Sequence, residues 1–169
     1  MDVGAEYANY NADMTRTIPV NGKFSKRQRA VYDAVLRVKN AATAMLVPGN
    51  VIPDYHKAVG EVMEKELVDL DLISISDIKN QKAEWPAYKK YFMHGTSHHL
   101  GLNVHDVASI YKKFEPGMVF TVEPGIYIRE EGIGIRLEDN IVITENGHIN
   151  LMKNIPIEAD EIESLMNKG

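Results

Sequence analysis

The chain has 169 residues, no cysteine and a net charge of −5, from 19 basic and 24 acidic side chains. The absence of cysteine excludes a disulfide framework, a Cys-ligated metal site and a cysteine nucleophile, and it fits a reducing, cytoplasmic setting. The acidic balance argues against nucleic-acid binding, which needs a surplus of Lys and Arg on one face. No apolar run is long enough to cross a membrane, so we expect neither a nucleic-acid nor a membrane partner.

The first half of the chain predicts strands followed by helices. Two β-rich runs, Val3 to Ala8 and Met14 to Val20, are separated by a short turn-prone segment. Ser25 and Gln28 fit a capping box at the start of a helix whose apolar residues recur at helical spacing as far as Pro48-Gly49. A second helix with one apolar face follows, and it begins near the next proline.

The second half predicts antiparallel strands. Met118 to Val122 and Ile126 to Arg129 are β-rich runs that follow Pro-Gly pairs, and a longer run covers Ile133 to Thr144. Asn146-Gly147 favours a tight hairpin turn, and Glu158 to Asn167 predicts a terminal helix. The pattern therefore predicts one α+β domain, with helices in the first half and antiparallel strands in the second.

Without cysteine, any metal ligands must be carboxylates and imidazoles. Most carboxylates of a globular chain are solvated, but a carboxylate within an apolar strand run is costly to bury unless it is paired or binds a cation. Four carboxylates and one imidazole suit two divalent ions, such as manganese, better than a lone structural zinc. The alternative is a set of unpaired carboxylates on edge strands. Five residues lie in apolar or glycine-punctuated strand contexts: Asp2, Asp13, His98, Glu123 and Glu138.

The histidines divide into a cluster and two outliers. His98 and His105 are seven residues apart, so a regular strand would point them to opposite faces. Gly101 offers a bend that could bring both to one pocket. His56, on a polar helix face, and His148, in a hairpin, are expected to be plain surface residues.

Arg136 lies two residues before Glu138 on the predicted strand, so the two side chains are expected to share a face. An arginine beside a metal carboxylate can orient it, or can bind a substrate carboxylate as a fork. An ordinary ion pair is the alternative, and the sequence leaves both interpretations open.

Four ordered segments resemble the pita-bread metallopeptidases, and the similarity extends over nearly the whole chain. The subgroup that they resemble most is aminopeptidase P (Xaa-Pro aminopeptidase), followed by Xaa-Pro dipeptidase (prolidase). Agreement of four segments in order is far more specific than any single match. The segments are Asp2-x-Gly4 through Tyr10-x-x-Asp13-x-Thr15-Arg16-Thr17, His94-Gly95-x-Ser97-His98-x-Leu100-Gly101-Leu102-x-Val104-His105-Asp106, Gly117-Met118-Val119-x-Thr121-Val122-Glu123-Pro124-Gly125 and Arg136-x-Glu138-Asp139.

The resemblance implies a dinuclear metal site. Asp2 would bind one ion, and His98 and Glu123 would complete the second. Asp13 and Glu138 would bridge the two ions. A solvent molecule between ions about 3.5–4 Å apart would be deprotonated near neutral pH and become the nucleophile. Manganese is the expected metal, with cobalt or zinc as alternatives.

The resemblance also implies a reaction, the hydrolysis of the bond before a proline that stands second in a peptide. Glu123 would act as the proton shuttle, and His105 would hydrogen-bond the substrate carbonyl or the tetrahedral intermediate. His94 and Arg136 would bind substrate on the side that receives proline. A dipeptide-specific prolidase is one alternative. A non-catalytic pita-bread binding module is the other, and the complete ligand set argues against it.

The resemblance further predicts that residues 1–169 are the C-terminal portion of a pita-bread catalytic domain, with an antiparallel sheet and flanking helices. It implies a homo-oligomer for the full-length enzyme. We expect this portion alone to be weakly active or inactive, with Asp2 poorly placed near a frayed chain end. We also expect apolar surface to be exposed on the helix from Val31 to Met45, which would favour self-association.

Overall fold

The chain begins with two small strand ladders, as a computed structural model that describes residues 1–168 shows. The ladders pair β1 with β4 and β2 with β3, both antiparallel, so the two predicted runs are shorter than expected. Gly4 allows the ladders to close, because a Cβ at this position would lie 2.1 Å from the Ala12 carbonyl oxygen. The strands are β1 (Asp2–Val3), β2 (Glu6–Tyr7), β3 (Tyr10–Asn11) and β4 (Met14–Thr15).

Three of the four α-helices in the described residues follow the predicted order, and a further short helix lies between the second and the terminal one. The first has the expected capping box, in which the Ser25 hydroxyl accepts from the Gln28 N–H and the Gln28 side chain accepts from the Ser25 N–H. None of the helices described within residues 1–168 is both long and apolar enough to cross a membrane. The helices are α1 (Lys26–Ala44), α2 (Ile52–Asp69), α3 (Ile75–Lys79) and α4 (Ala159–Met166).

Five strands in the second half form two antiparallel sheets, in agreement with the α+β prediction. Strand order is β5-β8-β9 in the larger sheet, and β6 pairs with β7 in the smaller one. The run predicted from Ile133 to Thr144 is therefore two strands, because the chain passes from the smaller sheet to the larger one at Leu137 and Glu138. The strands are β5 (Val119–Val122), β6 (Gly125–Ile128), β7 (Ile133–Arg136), β8 (Asp139–Thr144) and β9 (Gly147–Asn150).

The apolar face of α1 forms the centre of the core. Val31, Val35 and Val38 are fully buried, and the helix packs against α2 and against strands of both sheets. The expectation of exposed apolar surface on this helix is therefore wrong, because elements within the chain cover it. Exposed large apolar side chains lie elsewhere in the chain, among them Val20, Tyr7 in the first ladders at 87% exposure and Val107 after the histidine segment at 88% exposure.

Candidate metal centre

One cleft of about 460 Å³ collects the predicted site residues. It lies where the first ladders meet the two sheets and the irregular histidine segment. Residues up to 136 positions apart in sequence meet there because β4, β5, β7 and β8 converge on it. All eight predicted site residues line the cleft: Asp2, Asp13, His94, His98, His105, Glu123, Arg136 and Glu138.

The floor of the cleft holds the most compact group of potential metal ligands. Asp13, His98 and Glu138 each offer one ligand atom, and these atoms all lie within 4.8 Å of one another. His98 Nε2 is 3.6 Å from an Asp13 carboxylate oxygen and 3.5 Å from a Glu123 oxygen. This spacing leaves room for an ion bonded at about 2 Å to each atom.

Glu138 supplies the clearest indication that the floor fits a cation. Its side chain is 2% exposed, and Oε2 accepts a 2.7 Å hydrogen bond from the Thr15 hydroxyl. Its Oε1 is buried and has no hydrogen-bond partner among the described residues. A buried carboxylate oxygen without a partner is costly unless the group is protonated or binds a cation. Together with the neighbouring oxygen and imidazole donors, this group fits the divalent ions that the family resemblance implies.

Burial sets the protonation of the floor residues. It raises the pKa of Glu123 to about 8, an effect to which the neighbouring Glu138 carboxylate adds. Burial likewise raises the pKa of Glu138 to about 7 and raises that of Asp13. Burial lowers the pKa of His98, which favours the neutral imidazole that binds metals. Without a bound cation, burial and mutual repulsion therefore disfavour the ionised form of these three carboxylates. A bound cation would offset both effects.

Asp2 lies at the rim of the same cleft. Pairing of β1 with β4 places it opposite Thr15, and its side chain is 58% exposed. One carboxylate oxygen contacts the Arg136 guanidinium, and the other lies 3.3 Å from the oxygen of the Thr15 hydroxyl, whose single proton is donated to Glu138. Asp2 is thus held by neighbours in the structure, while the expected mobility of this chain end stays a prediction.

The histidine segment is irregular rather than a strand, and this irregular backbone brings its two cleft histidines together. The rings of His98 and His105 have centroids 4.2 Å apart and face the same cleft. Gly101 is required by a close approach, because a Cβ there would lie 2.2 Å from an Asp106 carboxylate oxygen. The Asp106 N–H donates to the His99 carbonyl at 3.0 Å, which closes the loop.

Arg136 and His94 line the same cleft, each with a polar partner. Arg136 Nε donates to the Thr15 hydroxyl at 2.9 Å, and this hydroxyl in turn donates to Glu138. Arg136 therefore pairs with Asp2 and reaches Glu138 only through the Thr15 hydroxyl, while its binding of a substrate carboxylate stays a prediction. His94 Nε2 is 2.7 Å from the Tyr127 hydroxyl.

Sequence reasoning missed the buried polar residues that support the ligands. Asn140 is 1% exposed, its side-chain oxygen accepts from the Asp13 N–H at 3.1 Å, and its side-chain amide donates to the Asp13 carbonyl. Thr15 and Arg16 hold Glu138 in a similar way. An amide and a cation inside otherwise apolar strand contexts are the signs that could have revealed them.

The prediction for the two outlying histidines is wrong. His56 is half-buried and its Nε2 is enclosed, because α2 packs it against Gly95 of the histidine segment. Burial lowers its pKa. The adjacent Tyr55 hydroxyl lies 2.9 Å from Ser97 Oγ, so this helix supports the loop that carries His98. His148 is also half-buried.

Comparison with known proteins shows the family to which this chain belongs. Residues 1–145 match Metallopeptidase family M24, and the chain belongs to this family. The Xaa-Pro aminopeptidase of Haemophilus influenzae is 45% identical over 179 aligned residues, which cover 99% of this chain and 41% of that protein. The chain thus spans about two-fifths of the length of this relative.

Solved structures confirm the fold. A proline aminopeptidase P II from Yersinia pestis superposes with a TM-score of 0.91 at 44% identity, over 99% of this chain and 41% of that one. A zinc-substituted Escherichia coli aminopeptidase P in complex with product gives a TM-score of 0.87 at 42% identity, over 98% of this chain and 40% of that one. The chain therefore has the architecture of the matching portion of the pita-bread fold, as its resemblance predicted.

Proposed function

We propose that this chain carries the metal centre of an Xaa-Pro aminopeptidase, which hydrolyses the bond before a proline that stands second in a peptide. The observation that carries the proposal is the floor of the cleft, where Asp13, His98 and Glu138 converge and one Glu138 oxygen is buried without a partner. Similar proteins that are named Xaa-Pro aminopeptidases support the choice of reaction.

The floor and rim divide the proposed ligands between two ions. Asp2 would hold one ion, His98 and Glu123 would hold the other, and Asp13 and Glu138 would serve both. Manganese is the proposed metal, with cobalt or zinc as alternatives. When bound, the ions supply Lewis acidity, which lowers the pKa of a water molecule and polarises the scissile carbonyl.

The remaining side chains bind the substrate and move protons. Glu123 would serve as the proton shuttle, and one of its carboxylate oxygens lies 3.5 Å from His98 Nε2 in the cleft. His105 faces the cleft beside His98 and can donate a hydrogen bond to the substrate carbonyl, which gains negative charge in the transition state. His94 and Arg136 also line the cleft and bind the substrate on the side that receives proline.

Several finer points are proposals of the same kind. Residues 1–169 are proposed to be the C-terminal portion of the catalytic domain, weakly active or inactive alone. The full-length enzyme is proposed to be a cytoplasmic homo-oligomer. A dipeptide-specific prolidase and a non-catalytic binding module are the alternatives, and the complete set of ligand types disfavours the second.

The test combines metal analysis with cleavage of matched peptides in manganese. An Ala-Pro-Ala tripeptide, an Ala-Pro dipeptide and an Ala-Ala-Ala control separate the three readings. Preferential cleavage of the tripeptide after its first residue by a protein that binds stoichiometric manganese supports the proposal. Cleavage of the dipeptide alone identifies a prolidase, and the absence of tightly bound metal identifies a binding module. Assaying the chain beside the longer Yersinia pestis relative shows whether weak activity goes with the shorter length of this chain.

A further inference from the structure

Arg16 lies directly behind the floor of the cleft and does not line it. Its guanidinium donates to three carbonyl oxygens, those of Glu138 at 2.7 Å, Thr15 at 3.0 Å and Pro156 at 2.9 Å. It also donates to the Asp139 carboxylate at 2.7 Å. The four acceptors come from three separate segments of the chain, so this one side chain joins β4, the start of β8 and the C-terminal region.

The charges around Arg16 form a buried network. Arg16 is 4% exposed, and the Asp139 carboxylate that it contacts also contacts the ammonium group of Lys39. Asn150 donates to the same carboxylate at 2.7 Å. Two buried cations therefore share one buried anion. Buried ionic groups are often replaceable by apolar residues without loss of stability, so this arrangement calls for an explanation other than stability.

Arg16 fixes the two residues that determine where the Glu138 carboxylate lies. The Glu138 carbonyl accepts from Arg16, and the Glu138 N–H donates to the Thr15 carbonyl at 3.0 Å. The Thr15 carbonyl also accepts from Arg16, while the Thr15 hydroxyl donates to Glu138 Oε2. These bonds hold the main-chain groups of Thr15 and Glu138 and one oxygen of the Glu138 carboxylate. The other oxygen, Oε1, has no hydrogen-bond partner among the described residues.

We propose that Arg16 is a positioning residue for metal binding: its hydrogen bonds to the Glu138 and Thr15 carbonyls hold the free Glu138 oxygen in place for a divalent ion. The inference rests on the proposed function, because it needs a metal at this site. Lysine keeps the charge but cannot donate to acceptors in three segments at once, since it lacks the planar fork of guanidinium donors. Partners that orient a metal ligand typically change metal affinity 10- to 100-fold when they are replaced.

The test measures Mn²⁺ affinity by electron paramagnetic resonance in the whole chain, with the thermal midpoint of the metal-free protein measured alongside. We expect Arg16→Lys to weaken Mn²⁺ binding about 10- to 100-fold at a temperature where it is folded. Ile162→Ala is the matched control, because Ile162 is a buried core residue on α4 that makes none of these hydrogen bonds. It should lower the thermal midpoint and leave the affinity unchanged. If Arg16→Lys does not fold, Asp139→Asn removes the anchor of Arg16 and should weaken binding in the same direction.

The outcomes separate the inference from the proposed function. Loss of affinity in Arg16→Lys but not in Ile162→Ala supports the positioning role. Wild-type affinity in a destabilised Arg16→Lys protein, or an equal loss in both variants, overturns it and leaves the proposed function standing. Failure of the unaltered chain to bind Mn²⁺ overturns the proposed function, and the inference with it.

Discussion

The rim and the floor of the cleft present the same functional group, a carboxylate, in opposite environments. Asp2 at the rim is 58% exposed and already has a guanidinium partner, whereas Glu138 on the floor is 2% exposed and keeps one oxygen without any partner. Burial raises the pKa of Glu138 to about 7. The comparison shows that burial, rather than residue type, makes an unpaired carboxylate costly and so favours a bound cation. It predicts that the floor contributes more to metal affinity than the rim does.

The largest effect is expected when the floor loses its shared carboxylate. Glu138→Gln keeps the shape but removes the anionic oxygen, so Mn²⁺ affinity should fall by more than the roughly 100-fold expected for a supporting residue. In the full-length enzyme, the same substitution should abolish turnover. The metal-free variant should melt no lower than the parent, because the change removes a buried charge. Calorimetric Mn²⁺ titration, peptide cleavage and a thermal melt check this. Near-normal activity in a folded variant would count strongly against a dinuclear centre.

A paired substitution compares the two regions directly. Asp2→Asn at the rim should leave one tightly bound ion, because Asp13, His98 and the remaining floor ligands stay intact. Asp13→Asn on the floor should weaken both ions, since this carboxylate is proposed to bridge them. Metal stoichiometry after dialysis against Mn²⁺ measures the difference. Equal losses in the two variants would remove the distinction between rim and floor.

The pH dependence of stability sharpens the same point. The pKa of Glu123 is raised from its ordinary 4.5 to about 8, and that of Glu138 from 4.5 to about 7. Both pKa values are higher in the folded protein than in the unfolded chain. The contribution of these two groups to the free energy of unfolding is therefore fully present below about pH 4.5 and is lost as the pH rises through 7 and 8. The thermal midpoint in a chelator should therefore fall between pH 5 and pH 9, and saturating Mn²⁺ should suppress that fall. Parallel profiles with and without Mn²⁺ would contradict the assignment.

The smallest expected effect concerns Asn140, which supports the floor without facing it. Asn140→Ala removes two hydrogen bonds to the Asp13 main chain, at about 1 kcal/mol each, so the free energy of unfolding should fall by about 2 kcal/mol. Mn²⁺ affinity should fall by about tenfold, the low end for a supporting residue. Urea unfolding and Mn²⁺ titration measure the two effects. Asn103→Ala, at an exposed loop position, serves as the control and should change neither.

Much of the site was predictable because its residues carry local signs. A carboxylate at the end of an apolar run, as at Glu123, conflicts with its surroundings unless something compensates, and sequence alone exposes that conflict. The capping box at Ser25 is likewise local chemistry, and α1 begins where it predicts. The family resemblance added the assignment of individual roles.

The failures share a tertiary cause. The run from Ile133 to Thr144 keeps its β-rich pattern through Glu138, but the strand breaks there because the Glu138 N–H pairs with Thr15 of β4, far away in sequence. His56 has a polar sequence environment, yet α2 packs it against Gly95. The partners of Arg16 and Asn140 are set by the same long-range packing, so no local pattern could name them.

The central claim is that the floor of the cleft is a metal centre, and one crystallographic measurement tests it most directly. Crystals of the chain soaked in Mn²⁺ and measured near the manganese absorption edge reveal the ion through its anomalous scattering. The account predicts a peak within bonding distance of His98 Nε2 and of the buried, unpartnered Oε1 of Glu138. A cleft without such a peak at saturating Mn²⁺, or a peak confined to other surface carboxylates, would contradict it.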